Sequence, residues 1–263
     1  MNIHDNLIPP HYKKILNLTT QYINKLVDDK HKTTKSTYNL IRDDIEKTTG
    51  IPQQVIWYDI IRRFNGNTLR WKRLWTHTYT SCIIGKIPDT LFLVLHDRIQ
   101  TRVKCKGRKV NFDITCKICN IHDETTMHMM AECSHARDLW EAFRPIYARL
   151  MPNIRYTPHE AVLTANLQHL DFKEKKSKLL RTLSEIILHE IWSARCKCDK
   201  ENIDPNLDRS IQSVVTTLET IIKAHYRYHI NHDTLHIFKE KFCIDNVICK
   251  IDYHDYLNLY LPP

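Results

Sequence analysis

Four residues in the middle of the chain have the types and the spacing of a metal site. They follow the pattern C-x2-C-x8-H-x4-C and are Cys116, Cys119, His128 and Cys133. Thiolates and imidazole are the ligands that Zn²⁺ takes in tetrahedral structural sites. Because the protein supplies all four ligands, no coordination position stays open for water or a substrate. We therefore predict one structural Zn²⁺ rather than a catalytic one.

Two further histidines lie in the same window and offer alternatives to His128. His122 stands three residues after Cys119, and His135 stands two residues after Cys133. These short separations favour His128 as the fourth ligand.

A concentrated basic segment leads directly into this cluster. Residues 60–110 contain twelve Lys and Arg but only two Asp, so their net charge of +10 exceeds the +9 of the whole chain. Such a stretch is typical of a surface that binds a polyanion, most often nucleic acid. The alternative is a basic surface that is only solvated. The residues that we expect to meet phosphates are Arg98, Arg102, Lys104, Lys106, Arg108 and Lys109.

The elements that position these residues are predicted to be helices. Glycine, on which tight β-hairpins depend, occurs only four times in 263 residues. Apolar periodicity predicts helices over 10–30, 36–49, 69–80, 89–103, 172–198 and 205–232, with further helices around His128 and after Cys133. The expected N-cap residues are Asp89, Asp123 or Thr125, Ser134, and Asp204.

Composition is typical of an intracellular protein, nuclear or cytoplasmic. No apolar run approaches the roughly 18 residues of a membrane span, and the opening MNIHDNLIPPHYKK lacks the apolar core of a secretory signal. Nine cysteines are an odd number, and three of them fit the metal site. This usage is typical of a reducing compartment, in which thiols stay free. We expect no membrane partner.

The motifs that flank the cluster are Trp71 and Trp75, Thr101-Arg102, Glu124-Thr125, and Leu139-Trp140. Together with the cluster, they resemble the zinc-binding region near the C-terminus of non-LTR (LINE-like) retrotransposon reverse transcriptases. The stretches KSTYNLI at 35–41 and HEIWSARCKC at 189–198 are similar to flanking parts of that region. The likeness is good over about 69–143, is weaker over 35–68 and 170–200, and ends near 205.

The resemblance implies a reverse-transcriptase-type zinc-binding region at 35–150, between an N-terminal helix and arm (1–34) and a C-terminal helical region (151–263). A polymerase would also need an aromatic-x-Asp-Asp hairpin to hold two catalytic metals. The two Asp-Asp pairs, Asp28-Asp29 and Asp43-Asp44, lack that aromatic residue. We therefore expect a mostly α-helical, nucleic-acid-binding module with a small central CCHC zinc finger and no enzymatic activity.

The C-terminal region leaves two other hypotheses open. In the first, the protein is an interaction scaffold with a purely structural zinc, and its C-terminal helices pair with another chain. In the second, four histidines at i, i+4, i+7 and i+11 share one helix face and hold a second metal, although a merely polar face is favoured. These histidines are His225, His229, His232 and His236. We expect Cys243 and Cys249 to be small buried apolar groups.

Overall fold

The computed structural model describes residues 86–106, 112–152 and 175–261. These residues belong to one unit of the chain, Thr68–Pro263. The helices predicted over 10–30, 36–49 and 69–80 lie outside the described residues, as do Arg108 and Lys109.

Helices dominate the described part of the chain, which confirms the mostly α-helical class. A π-helical turn, His128–Glu132, lies between the second and third helices, and a 3-10 turn, Ile244–Asn246, follows the sixth. The α-helices are α1 (Lys86–Leu95), α2 (Arg102–Lys106), α3 (Ser134–Leu150), α4 (Lys175–Glu201), α5 (Leu207–Asn231) and α6 (Leu235–Phe242). Two short strands, β1 (Cys249–Ile251) and β2 (Leu257–Leu259), close the fold.

Helix α4 is the centre of the packing. It contacts α1, α3, α5, α6 and the π-helical turn. The predicted apolar stripe, which includes Leu183, Ile187 and Ile191, is buried. Its polar neighbours Thr182 and Glu185 are also fully buried, because neighbours cover α4 on more than one side. A helix surrounded in this way needs less amphipathic contrast than a surface helix.

Helix α1 ends earlier than the sequence predicts. The expected helix over 89–103, capped by Asp89, is instead the helix Lys86–Leu95, followed by a break and the short α2. Asp97 takes a left-handed conformation (φ 49°). The Arg98 N–H donates to the Leu93 carbonyl at 2.7 Å, and the Asp97 N–H donates to Val94 at 2.9 Å. This pair of bonds is a Schellman stop, with Asp in the place that Gly usually takes.

Helix α5 begins slightly later than predicted. The N-cap is Asn206 rather than Asp204, and its side chain accepts a hydrogen bond from the Arg209 N–H at 2.8 Å. Asp204 and Pro205 precede the cap. The helix ends at Asn231, close to the predicted end at His232.

The C-terminal tail folds back on α6 as a small hairpin. β1 and β2 pair antiparallel, with Cys249 opposite Leu259 and Ile251 opposite Leu257. β1 packs against α6. Among the described residues, no helix combines the length and the apolarity that crossing a membrane requires.

Candidate metal centre

A narrow turn holds the first two cysteines. The Cys116 N–H donates to the His122 carbonyl at 2.8 Å, and the Glu124 N–H donates to Ile114 at 2.9 Å. At the tip of the turn, the Asn120 N–H donates to the Cys116 carbonyl at 2.8 Å. Asn120 has a positive φ of 54°, a conformation that Asn tolerates better than most residues. The chain therefore reverses between Cys116 and Glu124, and Cys119 lies within the bend.

The other two ligands stand at the ends of the π-helical turn. Thr125 caps the approach, because its Oγ1 accepts a bond from the His128 N–H at 3.0 Å; the sequence predicted this cap as one of two alternatives. The Cys133 N–H then donates to the His128 carbonyl at 2.7 Å. This bond, five residues long, is the widened spacing of a π-helix. The bond brings His128 and Cys133 to the same side of the π-helical turn.

Cys133 also marks the start of α3. The sequence predicts Ser134 as the N-cap, but Ser134 is the first helical residue and Cys133 is the cap, with no side-chain cap hydrogen bond. The Trp140 indole N–H donates to the Met130 carbonyl at 2.8 Å. Both residues are fully buried, so this bond fixes the π-helical turn against α3.

The four predicted ligands converge. The ligand atoms of Cys116, Cys119, His128 and Cys133 all lie within 4.8 Å of one another. Cys116 Sγ and Cys133 Sγ are 3.9 Å apart, and Cys119 Sγ and His128 Nε2 are 3.3 Å apart. Zn–S and Zn–N bonds of standard length in a tetrahedron would separate such atoms by about 3.8 Å and about 3.6 Å. The donor set therefore fits zinc in type, number and spacing.

His128 is the fourth ligand, as the sequence favoured. His122 is exposed, and its ring centroid is 5.4 Å from that of His128. His135 is buried at 7% exposure and lies 3.3 Å from the Ser210 hydroxyl. His135 therefore belongs to the interface between α3 and α5, not to the metal site.

The thiols of Cys116 and Cys133 share a hydrogen bond. A hydrogen bond from the Cys133 thiol lowers the pKa of Cys116 to about 4. Donating that bond, together with burial, raises the pKa of Cys133. Two neighbouring thiolates repel each other, and a divalent cation removes that repulsion and lets both thiols ionise.

A buried ion pair anchors the zinc finger, the segment from Cys116 to Cys133, to the rest of the fold. The Glu124 carboxylate, only 1% exposed, accepts hydrogen bonds from Arg195 Nε at 3.0 Å and Nη2 at 2.7 Å. The same oxygen accepts from the backbone N–H of Arg102 at 2.9 Å. Glu124 lies at the end of the cysteine turn, whereas Arg195 lies on α4. Both residues stand in the flanking motifs of the resemblance, but the sequence alone did not pair them.

Two of the predicted phosphate contacts, the buried Arg102 and the half-buried Lys104, form ion pairs within the fold. Arg102 is 7% exposed, and its guanidinium lies 2.8 Å from Asp199 and 4.8 Å from the Phe112 ring centroid. Lys104 donates to the carboxylate of Asp97 and to Thr126. The neighbouring carboxylates compensate the charges of both side chains. Lys104 also donates to Thr126, which lies between the ligands Cys119 and His128, so these contacts stabilise the finger. The prediction that Arg102 and Lys104 contact phosphates is therefore wrong for the folded chain, in which both side chains pair with carboxylates.

The remaining basic candidates are placed differently. Arg98 and Lys106 are exposed. Arg108 and Lys109 lie outside the described residues. The exposed basic surface next to the finger therefore contains Arg98 and Lys106.

The four C-terminal histidines do not form a second metal site within the described residues, where the finger is the one cluster of three or more potential ligands. α5 ends before His232, so the four do not share one continuous helix. His229 pairs with Thr234 at 2.8 Å, and His232 stacks on Tyr228 with 4.2 Å between ring centroids.

Comparison with known families agrees with this geometry. Residues 33–140 match the family model described as zinc-binding in reverse transcriptase. All four predicted ligands lie inside the matched segment. No curated protein and no solved structure matches the chain.

The class of the site follows from its ligands. Three thiolates and one imidazole close the coordination sphere, so this is a structural zinc site. The zinc holds the cysteine turn against the π-helical turn, in a segment with little apolar core of its own. Its chemistry is to fix a fold, and the surface that the fold presents must provide the function.

Proposed function

We propose that this protein is a nucleic-acid-binding module derived from a LINE-like retrotransposon, without polymerase or other enzymatic activity, that acts inside the cell. The observation that carries the proposal is the match to the zinc-binding region of reverse transcriptases, which includes a segment of net charge +10 at residues 60–110. Reverse transcription takes place on nucleic acid, and a basic segment next to the finger attracts its phosphates.

The described residues support a particular binding surface. Arg98 lies just after α1, and Lys106 ends α2; both are exposed. Arg108 and Lys109 follow directly in the sequence. α2 is held in place by the ion pairs of Arg102 and Lys104, so these paired cations position the exposed ones. Phosphate contacts of this kind give binding that depends steeply on salt and only weakly on sequence.

The scaffold hypothesis receives less support from the packing. It needs apolar faces on the C-terminal helices that are free to pair with another chain. Three apolar residues at the centre of α5, Val214, Leu218 and Ile222, are fully buried against the chain itself, whereas Tyr228 and Ile230 near its end are exposed. α5 contacts α3, α4 and α6.

The test is a salt-dependent titration of labelled single-stranded RNA and of duplex DNA with zinc-loaded protein. The binding variant carries Arg98→Gln, Lys106→Gln, Arg108→Gln and Lys109→Gln. The matched control removes four exposed cations from α3 and α5 and carries Arg144→Gln, Arg149→Gln, Lys223→Gln and Arg227→Gln. Both variants lose the same net charge.

We expect the binding variant to lose at least about tenfold in affinity. The slope of log K against log salt should become shallower by roughly 0.7–0.9 for each phosphate that the variant no longer neutralises. The control variant should keep most of the affinity and the slope. Equal losses in both variants would indicate attraction by net charge alone. Binding that ignores salt would rule out the proposal.

A further inference from the structure

Two cysteines at the C-terminal end of the fold lie against each other. Cys243 Sγ and Cys249 Sγ are 3.7 Å apart. Cys243 caps the end of α6 and is half-buried, whereas Cys249 begins β1 and is fully buried. The sequence predicted that both were small buried apolar groups, which describes Cys249 but not the half-buried Cys243.

The backbone brings these thiols together by a tight reversal. Asp245 and Asn246 take left-handed conformations, with φ of 49° and 51°, and they turn the chain within the 3-10 turn. Val247 and Ile248 are then buried, and Cys249 enters the ladder opposite Leu259. The pairing of β1 with β2 therefore fixes the Cys249 side of the contact.

The pair does not have the ligands of a zinc site. A structural zinc takes four protein ligands. Within the described ranges, the finger is the one group of three or more potential ligands. Two thiols in contact, without further ligands, have instead the arrangement of a dithiol that oxidises to a disulfide.

The two thiols differ in reactivity. A hydrogen bond from the Cys249 thiol, a backbone hydrogen bond from Ile251 and the charge of Lys239 lower the pKa of Cys243, although burial opposes them. Donating that hydrogen bond, together with burial, raises the pKa of Cys249. The thiolate is the attacking form of cysteine. Cys243, which is also the more accessible thiol, is therefore the nucleophile, and Cys249 is the resolving thiol.

We propose that Cys243 and Cys249 are a reversible disulfide site that exchanges with low-molecular-weight disulfides. The Cys243 thiolate attacks one sulfur of R–S–S–R, forms a Cys243–S–S–R mixed disulfide and releases RS⁻. The Cys249 thiol gives its proton to that RS⁻ and attacks the Cys243 sulfur. The second RS⁻ leaves and takes a proton from solvent, which replaces the one that Cys243 lost on ionising. The two protein thiols are oxidised by two electrons, and R–S–S–R is reduced to two RSH.

The chain offers a direct measurement of this oxidation. Lys241 and Lys250 are tryptic cleavage sites, so the peptide 242–250, FCIDNVICK, contains both cysteines. Zinc-loaded full-length protein is incubated in glutathione buffers of increasing oxidised fraction, quenched in acid and alkylated with iodoacetamide. It is then digested without reduction. Bound zinc is measured in a portion of each sample that is taken before the acid quench.

We expect the oxidised peptide to be two hydrogens lighter than the reduced peptide and to carry no alkyl group. Reductant should reverse this change. The oxidation should occur in buffers in which the finger keeps its zinc. In Cys249→Ser, Cys243 should retain one glutathione. In Cys243→Ser, Cys249 should stay reduced. Cys196→Ser, which removes a half-buried thiol from α4, is the matched control and should oxidise like wild type. Far-UV circular dichroism checks that each variant is folded.

Three results would overturn the proposal. The first is a doubly alkylated peptide in buffers that already strip zinc from the finger. The second is glutathione on Cys249 in Cys243→Ser at the rate seen for Cys243. The third is a second zinc per chain that is lost in both variants, which would make the pair part of another metal site.

Discussion

Cys119 is the most accessible of the three zinc thiols, and its substitution separates loss of metal from loss of packing. Cys116 and Cys133 are each 1% exposed, whereas Cys119 is half-buried. We expect the Cys119→Ser variant to bind no zinc, and we expect its finger to be unfolded. The apparent free energy of zinc binding to finger peptides is about 10–16 kcal/mol, and folding of the finger depends on it. Elemental analysis measures the zinc bound per chain.

The control for this substitution is Cys105→Ser, which removes another half-buried thiol outside the cluster. It should keep one zinc per chain. One zinc retained in Cys119→Ser, in a chain that stays folded, would contradict the four-ligand assignment.

Glu124 is the buried partner of Arg195, and its charge is compensated only inside the fold. Glu124→Gln leaves the Arg195 guanidinium, which is 8% exposed, without its closest carboxylate. Removing one partner of a buried ion pair costs about 3–5 kcal/mol, and we expect a loss of that order in the free energy of unfolding. Urea denaturation of the zinc-loaded protein measures it.

The matched control is Glu141→Gln, which breaks the exposed pair of Glu141 with Arg144 on α3. Exposed pairs contribute about 0–1 kcal/mol. Equal effects of Glu124→Gln and Glu141→Gln would show that the buried pair does not anchor the finger.

At the scale of elements, the start of α5 tests which residue caps it. Asn206 accepts the Arg209 N–H, whereas Asp204 lies outside the helix. We expect Asn206→Ala to destabilise the protein by about 1 kcal/mol, as loss of an N-cap does, and Asp204→Ala to have a much smaller effect. Thermal unfolding followed by circular dichroism compares them, and the reverse order would restore Asp204 as the cap.

The elements also show where sequence patterns stop being informative. The long helix in the C-terminal region was predictable because its apolar residues repeat at helical spacing. The end of α1 was not, because Asp97 rather than glycine takes the left-handed position. Its carboxylate accepts hydrogen bonds from Thr126, which is 29 residues away in the sequence, and from Lys104, which no sequence pattern marks as its partner. Tertiary hydrogen bonds therefore decide where α1 ends.

For the whole molecule, the metal and the helices should unfold together. The π-helical turn packs against α3 and α4, and both belong to the unit Thr68–Pro263. A ligand at 1,000 times its Kd stabilises the native state by about 4 kcal/mol, which corresponds to about 10 °C in the Tm of a domain of this size. We expect a strong chelator to lower the Tm of the helical signal by at least that amount. No shift would mean that the finger unfolds independently.

The metal ligands could be predicted from the sequence because they are close together and chemically distinctive. The surroundings of the ligands could not. Arg102 and Lys104 look like surface cations in a basic segment, and only the fold reveals the carboxylates of Asp199 and Asp97 beside them. The dithiol of Cys243 and Cys249 depends on a turn that no periodicity indicates.

The distance along the chain between Glu124 and Arg195 has a consequence for synthesis. The two residues are 71 positions apart, and ribosomes add about 5–20 residues per second, so Glu124 is made roughly 4–14 seconds before its partner. All four zinc ligands are complete by Cys133. We therefore expect a nascent chain to take up its metal first and to dock the finger only when α4 emerges. Stalled nascent chains that end before and after Arg195 would show this order as zinc retention without, and then with, protection of Glu124 from protease.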